Sequence, residues 1–202
     1  VITKTEGQLG FQYTEEQIQS IWSMLDNNVS ILTGSAGSGK SYTLKAAVDI
    51  FQYYGLHVEQ CALSGRASSL LNEITGIPGK TIHRLLNYLP EYERFAHTRN
   101  APLSADVIIL DETSMVGEEL FLSLISAIHS GAKLIMLGDV KQLPPMAVGN
   151  ILADCLNSGY VPASRLTKIH RQAMRSGIVS QAIKVSNGES IVKGDFQGEE
   201  VR

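Results

Sequence analysis

A glycine-rich loop between two segments of different hydrophobic period constrains the fold of this chain more than any other feature. Residues 29–33 form a short run of β-forming residues. The loop itself reads GSAGSGKS, residues 34–41. Beyond it, apolar residues recur at helical spacing until Gly55, namely Leu44, Ala47, Val48 and Phe51. The sequence therefore predicts a strand, a tight loop and a helix in immediate succession.

The remaining chain repeats this alternation of apolar strands and amphipathic helices. Further strands are predicted at 57–63, 107–110, 133–137 and 161–166. Helices are predicted at 14–26, around 67–74, at 81–86, around 121–128, at 149–157 and at 177–186. Strands that are apolar throughout favour a parallel sheet covered by helices on both faces. We therefore expect an α/β fold of the P-loop type.

One domain is expected from residue 14 to residue 190, after a lead-in segment at 1–13. Its first helix should begin at Thr14, because Gln17 stands three residues later in a capping-box pattern. Residues 87–104 combine prolines, aromatic residues and charges with weak periodicity, which indicates an exposed insertion such as a small hairpin. We interpret residues 191–202 as a tail toward a second domain. Since the first residue is Val1, we expect a piece of a longer protein.

Composition restricts the class of protein without identifying it. The net charge of −3 does not indicate a polyanion partner, but a local basic groove can exist on an acidic protein. Cys61 and Cys155 lack metal-ligand spacing, so we expect two buried thiols in a cytoplasmic protein, with a single disulfide as the alternative. No apolar run approaches the ~18 residues that a membrane span needs, so no membrane partner is expected.

The loop also carries a specific chemical signal, because it satisfies the pattern G-x-x-x-x-G-K-[ST] at every fixed position. Its backbone N–H groups and the following helix N-terminus would hold phosphate oxygens. Lys40 would neutralise the β- and γ-phosphates, and the Ser41 hydroxyl would bind Mg²⁺. The alternative is a chance glycine-rich turn. The residues predicted to cradle the nucleotide are Gly34, Ser35, Ala36, Gly37, Ser38, Gly39, Lys40, Ser41 and Tyr42.

Two carboxylates follow the predicted strand at 107–110. Asp111 would hold Mg²⁺, and Glu112 would orient and deprotonate the attacking water. The carboxyl end of a strand is where open α/β sheets place their ligands. Glu112 favours hydrolysis over transfer to another substrate, whereas two solvated carboxylates that open a helix are the alternative.

A third polar segment follows the next predicted strand and reads LGDVKQLPP, residues 137–145. Gln142 stands ahead of two prolines that restrict the backbone. A glutamine fixed in this way suits a sensor that hydrogen-bonds the γ-phosphate. An ordinary strand-to-helix loop is the alternative.

Taken together and in chain order, seven segments resemble the first motor domain of a RecD-like helicase, of the RecD/TraA type in helicase superfamily 1 that includes the alpha subunit of exodeoxyribonuclease V. The resemblance runs from about Phe11 to Ser190. The segments are Gln17 and residues 34–41, 63–67, 81–86, 111–115, 138–145 and 166–172.

The resemblance implies a RecA-like fold and roles for further residues. Gln17 would read adenine, and Arg171 would act as an arginine finger on the γ-phosphate, the alternative being a surface arginine. Four residues would contact single-stranded DNA, although a helix cap or an ordinary surface residue is the alternative for each: Ser64, Arg66, Thr81 and His83. The insertion at 87–104 falls where the family places its strand-splitting pin.

The function implied by the resemblance is ATP-dependent DNA unwinding in the 5′→3′ direction, with ATP and Mg²⁺ as cofactors and a second motor domain elsewhere in the protein. The expected partners are single-stranded DNA and a nuclease, replication or recombination complex, as in DNA repair, and the expected oligomeric state is a monomer. The alternatives are a helicase-like DNA-binding module without turnover and a nucleotide switch.

Overall fold

A parallel β-sheet forms the centre of the protein in the computed structural model, which describes residues 12–35 and 37–168 and a few isolated positions outside them. The strands of the described residues are β1 Val29–Gly34, β2 Val58–Ala62, β3 Gly79–Thr81, β4 Tyr88–Leu89, β5 Arg94–Phe95, β6 Val107–Asp111, β7 Lys133–Gly138 and β8 Ala163–Leu166. Six of them form the main sheet in the order β3-β2-β6-β7-β1-β8, and every neighbouring pair in it is parallel. The predicted parallel sheet is confirmed.

The helices connect these strands at the positions that the hydrophobic period predicts. In the described residues they are α1 Glu15–Asp26, α2 Lys40–Tyr53, α3 Gly65–Thr75, α4 Ile82–Leu85, α5 Glu118–Ser126 and α6 Ile151–Ser158. The predicted capping box starts α1, since the Gln17 amide N–H donates to Thr14 Oγ1 and the Thr14 amide N–H donates to Gln17 Oε1. The helix predicted at 177–186 lies largely outside the described residues.

The core has two layers, one on each face of the sheet. Alternate residues of β6 point to opposite faces, so Val107 and Ile109 belong to one layer and Ile108 and Leu110 to the other. The first layer is completed by α1, α2 and α3, and the second by α4, α5 and α6. Burying one leucine or isoleucine side chain contributes about 1.5–3 kcal/mol to the free energy of folding. The apolar side chains of the strands therefore hold the helices against both faces of the sheet.

The edge strand β3 is a feature that the sequence did not predict. Gly79 and Lys80 fall between two predicted helices, whereas Thr81 was expected to start the second of them, and the strand pairs with β2 through three residues. A buried polar group fixes the approach: Gln60 Nε2 donates to the Ile77 carbonyl oxygen, and Thr75 Oγ1 donates to Gln60 Oε1 at 3.0 Å. Because Gln60, Thr75 and Ile77 are all buried, these bonds satisfy polar groups that have little access to water.

The insertion at 87–104 contains the small hairpin that was predicted. Strands β4 and β5 pair antiparallel, with Tyr88 opposite Phe95, and form a sheet separate from the main one. His83 of α4 contacts both rings, with centroid distances of 5.7 Å to Tyr88 and 5.6 Å to Phe95. These three rings attach the base of the hairpin to α4.

Both cysteines of the chain are free thiols. Cys61 is fully buried in β2, and burial raises the pKa of its thiol. The expectation of two buried thiols is wrong for Cys155, which is only half-buried, because it lies on α6 at the margin of the core. Among the described residues, no helix is long and apolar enough to cross a membrane.

Replacing Gly79 by alanine tests the packing of β3. A β-carbon at this position would lie 1.8 Å from the Ser68 carbonyl oxygen, so α3 would have to move away from the sheet. We expect the Gly79→Ala variant to lose roughly 1–3 kcal/mol in free energy of unfolding, measured by urea denaturation. Gly65→Ala is the matched control, because nothing lies within 4 Å of its added β-carbon. Equal stability of the two variants would contradict the close approach of α3 to β3.

Candidate nucleotide-binding site

The glycine-rich loop connects the end of β1 to the start of α2, and its conformation needs glycine. Gly37 and Gly39 adopt φ angles of +78° and +88°, which lie in the left-handed region. A β-carbon at Gly34 would lie 2.7 Å from both the Leu166 carbonyl oxygen and Ser38 Oγ. The Ser38 hydroxyl is buried with no hydrogen-bond partner among the described residues. A compact loop with an orphaned hydroxyl beside a helix N-terminus fits a bound phosphate.

Lys40 is the first residue of α2, and its side chain turns back onto the loop. Its Nζ donates hydrogen bonds to the carbonyl oxygens of Gly34 and Ser35, the second at 3.2 Å. Burial lowers the pKa of the Lys40 ammonium, while the nearby carboxylates of Asp139 and Asp111 oppose that shift. The site therefore holds a partly desolvated cation between two carboxylates, which is suited to charge-assisted binding of phosphate oxygens.

Asp111 ends β6 at the same edge of the sheet. Its Oδ1 accepts a hydrogen bond of 2.8 Å from the Glu112 amide N–H. Burial raises the pKa of the Asp111 carboxyl and the charge of Glu112 raises it further, whereas the Glu112 N–H and Lys40 act in the opposite direction. Among the described residues, no cluster of three or more His, Cys, Asp or Glu could hold a metal. Ser41 and Asp111 still fit Mg²⁺, because this ion usually takes one or two protein ligands together with water and phosphate oxygens.

Glu112 has a left-handed backbone, with φ 54° and ψ 34°. This conformation costs a non-glycine residue about 1–2 kcal/mol, so the surrounding structure must maintain it. Thr113 anchors the following turn, since its Oγ1 donates to the Leu110 carbonyl oxygen at 3.1 Å. Strain of this kind is concentrated at functional sites, and here it falls on the residue directly after Asp111 at the end of β6.

Asp139 is a site residue that the sequence analysis missed. It directly follows β7 and is 8% exposed. Of the two nearby carboxylates, it is the one whose charge raises the pKa of Lys40 more. Its Oδ1 accepts the Lys141 N–H at 3.0 Å, and its carbonyl oxygen accepts the Gln142 N–H at 2.9 Å. The sequence signal was a carboxylate directly after a buried strand, as at Asp111. The side chain of Gln142 itself is exposed in the loop that these bonds fold.

The environment of Gln17 differs from that expected for an exposed side chain that reads adenine. Gln17 is 1% exposed, and its side-chain oxygen Oε1 accepts a hydrogen bond of 2.9 Å from the backbone N–H of Thr14, the N-cap residue of α1. Tyr13 fastens this helix start to the loop, because its hydroxyl donates to the Tyr42 carbonyl oxygen at 3.1 Å in the first turn of α2. Tyr13 was not anticipated from the sequence. The helix cap and the phosphate loop are therefore neighbours in space.

The four residues predicted to contact DNA lie at the starts of α3 and α4. Ser64 caps α3 by accepting the Ala67 N–H at 3.1 Å, and Thr81 caps α4 by accepting the Arg84 N–H at 3.3 Å. The side chains of Arg66 and His83 are exposed. Ser64 and Thr81 are therefore helix caps, as the alternative expected. A capping side chain does not prevent the same residue from also contacting the DNA backbone.

Two predicted site residues, Ala36 and Arg171, lie outside the described residues. The described chain leads toward Arg171 through the end of β8. There, the Glu16 carboxylate accepts hydrogen bonds from Thr167, at 3.0 Å from its N–H and 2.6 Å from its Oγ1. These bonds lower the pKa of Glu16. They hold the end of β8 against α1.

A protein-family profile described as "AAA domain" matches residues 12–197. The chain is 38% identical over 182 residues to the ATP-dependent RecD2 DNA helicase of Deinococcus radiodurans, covering 90% of this chain and 25% of that protein. It is 30% identical to the RecBCD enzyme subunit RecD of Mycobacterium tuberculosis, covering 92% of this chain and 37% of that protein. The chain thus spans a quarter to somewhat over a third of these relatives.

Solved structures support the same fold. The Pif1 helicase from Candida albicans superposes with a TM-score of 0.66 at 20% identity, over 89% of this chain and 45% of that chain. A Bacteroides Pif1 bound to single-stranded DNA gives a TM-score of 0.59 at 23% identity, over 88% of this chain and 47% of that chain. At these identities the likeness concerns the fold, a RecA-like P-loop domain. The chain therefore belongs to the AAA domain family, and its similarity to RecD-type proteins extends over about 90% of its length.

Proposed function

We propose that this chain is the nucleotide-binding first motor domain of an ATP-driven DNA helicase. The observation that carries the proposal is the convergence of Lys40, Asp111 and Asp139 at one edge of the sheet, with the predicted strand-contacting residue Ser64 hydrogen-bonded to Glu112 at 3.2 Å. A nucleotide site and a nucleic-acid site that share a hydrogen bond suit a protein in which one ligand affects the other.

At the nucleotide, each residue has a separate task. The loop N–H groups and Lys40 would bind the phosphates, and Ser41 and Asp111 would hold Mg²⁺, which supplies charge neutralisation when bound. Glu112 would orient and deprotonate the attacking water, while Gln142 would sense the γ-phosphate. Arg171, from the segment after β8, would stabilise the charge that develops on the phosphate.

At the strand, the exposed starts of α3 and α4 would contact phosphates and sugars. Ser64, Arg66, Thr81 and His83 carry hydroxyl and basic groups suited to such contacts, which are largely independent of base sequence. The hairpin attached to His83 would act at the strand junction. Because the hairpin packs on His83, which is proposed to contact the DNA, the position of the hairpin would depend on bound DNA.

For the whole protein, we propose 5′→3′ translocation with a second motor domain, single-stranded DNA as the track, and a monomer that works alone or in a nuclease or recombination complex in the cytoplasm. The support is the similarity to a RecD2 helicase and to a RecBCD enzyme subunit. The test is ATP hydrolysis by the complete protein with and without a single-stranded oligonucleotide. Hydrolysis that does not respond to DNA would favour a nucleotide switch instead.

Removing the ammonium of Lys40 should weaken nucleotide binding. We expect Lys40→Ala to raise the Kd for a fluorescent ATP analogue by about tenfold to a hundredfold, as for a lost charge-assisted hydrogen bond. The matched control is Lys45→Ala on the same helix, because Lys45 pairs with Asp49. Unchanged affinity in Lys40→Ala would contradict the phosphate-loop assignment.

Glu112→Gln should separate binding from hydrolysis. The amide keeps the size of the side chain but cannot accept a proton from water, so kcat should fall by about 10²–10⁴-fold while nucleotide affinity stays the same. Both quantities are measured on the complete protein in the presence of single-stranded DNA. Normal turnover in this variant would mean that another group is the base.

Gln17→Ala should reduce discrimination between ATP and GTP. We expect the ratio of the two affinities to fall by about tenfold, the size of a lost hydrogen bond. Thr14→Ala is the control, because it breaks the same capping box but retains the Gln17 amide; it should lower stability by about 1 kcal/mol with the ratio unchanged. An equal loss for both nucleotides in Gln17→Ala would mean that Gln17 serves the helix and not the base.

A further inference from the structure

The start of α1 contacts both sides of the phosphate loop. On the side where the chain leaves the loop, the Tyr13 hydroxyl donates to the Tyr42 carbonyl oxygen at 3.1 Å. On the side where the chain enters the loop, Glu16 binds the residue directly after β8, the strand that pairs with β1 as far as Gly34. One short segment of the chain therefore bounds the loop at its entry and at its exit.

Glu16 uses both of its carboxylate oxygens on a single residue. The Thr167 N–H donates to Oε2 at 3.0 Å, and the Thr167 hydroxyl donates to Oε1 at 2.6 Å. These bonds, with smaller contributions from the backbone N–H and the charge of Lys168, lower the pKa of the Glu16 carboxyl. A contact at two points fixes the orientation of Thr167 as well as its distance from α1.

This contact lies one residue away from a close approach between two backbones. Leu166 pairs with Gly34 in the register of β8 and β1. A β-carbon at Gly34 would lie 2.7 Å from the Leu166 carbonyl oxygen and 3.2 Å from Leu166 Cβ, so only glycine allows the two backbones to pack this closely. The Gly34 carbonyl oxygen in turn accepts a hydrogen bond from Lys40 Nζ. A shift of the end of β8 would therefore move the first residue of the loop and the acceptor of Lys40.

The contact is suited to positioning more than to stabilising the fold. The ladder to β1 already holds β8 in the sheet as far as Leu166, whose side chain is buried. Thr167 is exposed and Glu16 is only half-buried. Polar contacts between groups that water can reach add little to global stability. What Glu16 adds lies beyond the ladder, at the point where β8 borders the loop.

We propose that Glu16 is a positioning residue for nucleotide binding, which holds the end of β8 against Gly34 and so maintains the shape of the phosphate loop. The inference rests on the proposed function and adds to it a carboxylate outside the residues expected to touch the nucleotide. Glu16 acts through Thr167 and Leu166, and its neighbour Gln17 has the separate task of reading the base. The two neighbours should therefore affect nucleotide binding in different ways.

The test measures the Kd for a fluorescent ATP analogue and the steady-state hydrolysis of ATP by the complete protein. We expect Glu16→Ala to raise the Kd and the KM by about twofold to tenfold, the range of one net hydrogen bond, while kcat at saturating ATP stays the same. The affinities for ATP and GTP should fall by the same factor, because the loop binds phosphates and not the base. Thr167→Val should weaken binding in the same way, and adding it to Glu16→Ala should cause no further loss, because both changes remove one contact.

Two control variants separate this contact from the charge of the helix start. Glu16→Gln can keep both hydrogen bonds, because its amide oxygen accepts from the Thr167 N–H and its amide N–H donates to the Thr167 hydroxyl oxygen. It should restore the wild-type affinity. Glu15→Ala removes a carboxylate of the same turn that accepts from Gln19 of α1 itself, so it should bind nucleotide like the wild type. Glu16→Ala and Glu15→Ala should unfold at nearly the same urea concentration.

The outcomes distinguish the inference from the proposed function. If Lys40→Ala weakens nucleotide binding but Glu16→Ala binds as tightly as Glu15→Ala, the inference is overturned and the proposed site remains. A loss confined to kcat would also overturn it, because Glu16 would then act on the chemical step. Unequal losses for ATP and GTP would overturn it too, since Glu16 would then act through Gln17. If Lys40→Ala leaves nucleotide affinity unchanged, the proposed site fails, and this inference fails with it.

Discussion

The parallel hydrogen bonding of β2, β6, β7 and β1 is the constraint on which the site depends. In a parallel sheet the carboxyl ends of neighbouring strands lie at one edge, so register alone decides which residues meet there. Thr33 pairs with Gly138, and Ala62 pairs with Asp111. The phosphate loop, Asp139, Asp111 and Ser64 are therefore brought together from four separate parts of the chain. Once the strands have paired, these residues already lie at one edge of the sheet, so no separate rearrangement of a loop is needed to assemble the site.

Desolvation gives the assembled edge its chemical character. A partly desolvated ammonium and partly desolvated carboxylates are each unfavourable alone, and their opposite effects on one another's pKa show that each partly offsets the other. Lys40 is balanced by Asp139 as well as by Asp111, so the cation has a partner from a strand that does not supply the predicted metal ligand. In the proposed function, this balance would let the site accept a charged nucleotide together with Mg²⁺ without leaving a desolvated charge unpaired.

Local patterns predicted what depends on neighbours in sequence. The phosphate loop and the capping box at Thr14 have fixed spacing, and the strands are apolar enough to identify directly. Contacts set by register were beyond such reasoning: the hydrogen bond from Ser64 to Glu112 joins positions 48 apart. Strand β3 was missed because three residues carry little period, and what places them is a buried glutamine on β2. Gln17 shows a further limit. It fits both the capping box and the position of an adenine-reading glutamine, and the sequence does not determine which of these contacts its side-chain amide makes.

The left-handed backbone of Glu112 has a consequence for how the protein can evolve. Glycine, and to a lesser degree asparagine and aspartate, adopt this conformation with less strain, so these substitutions would relieve an internal tension that the present side chain sustains. None of them retains a carboxylate of the same reach. With the proposed role of Glu112 as the base, stability and turnover would oppose each other at this one position, and loss of the need for hydrolysis would favour a more stable protein without turnover.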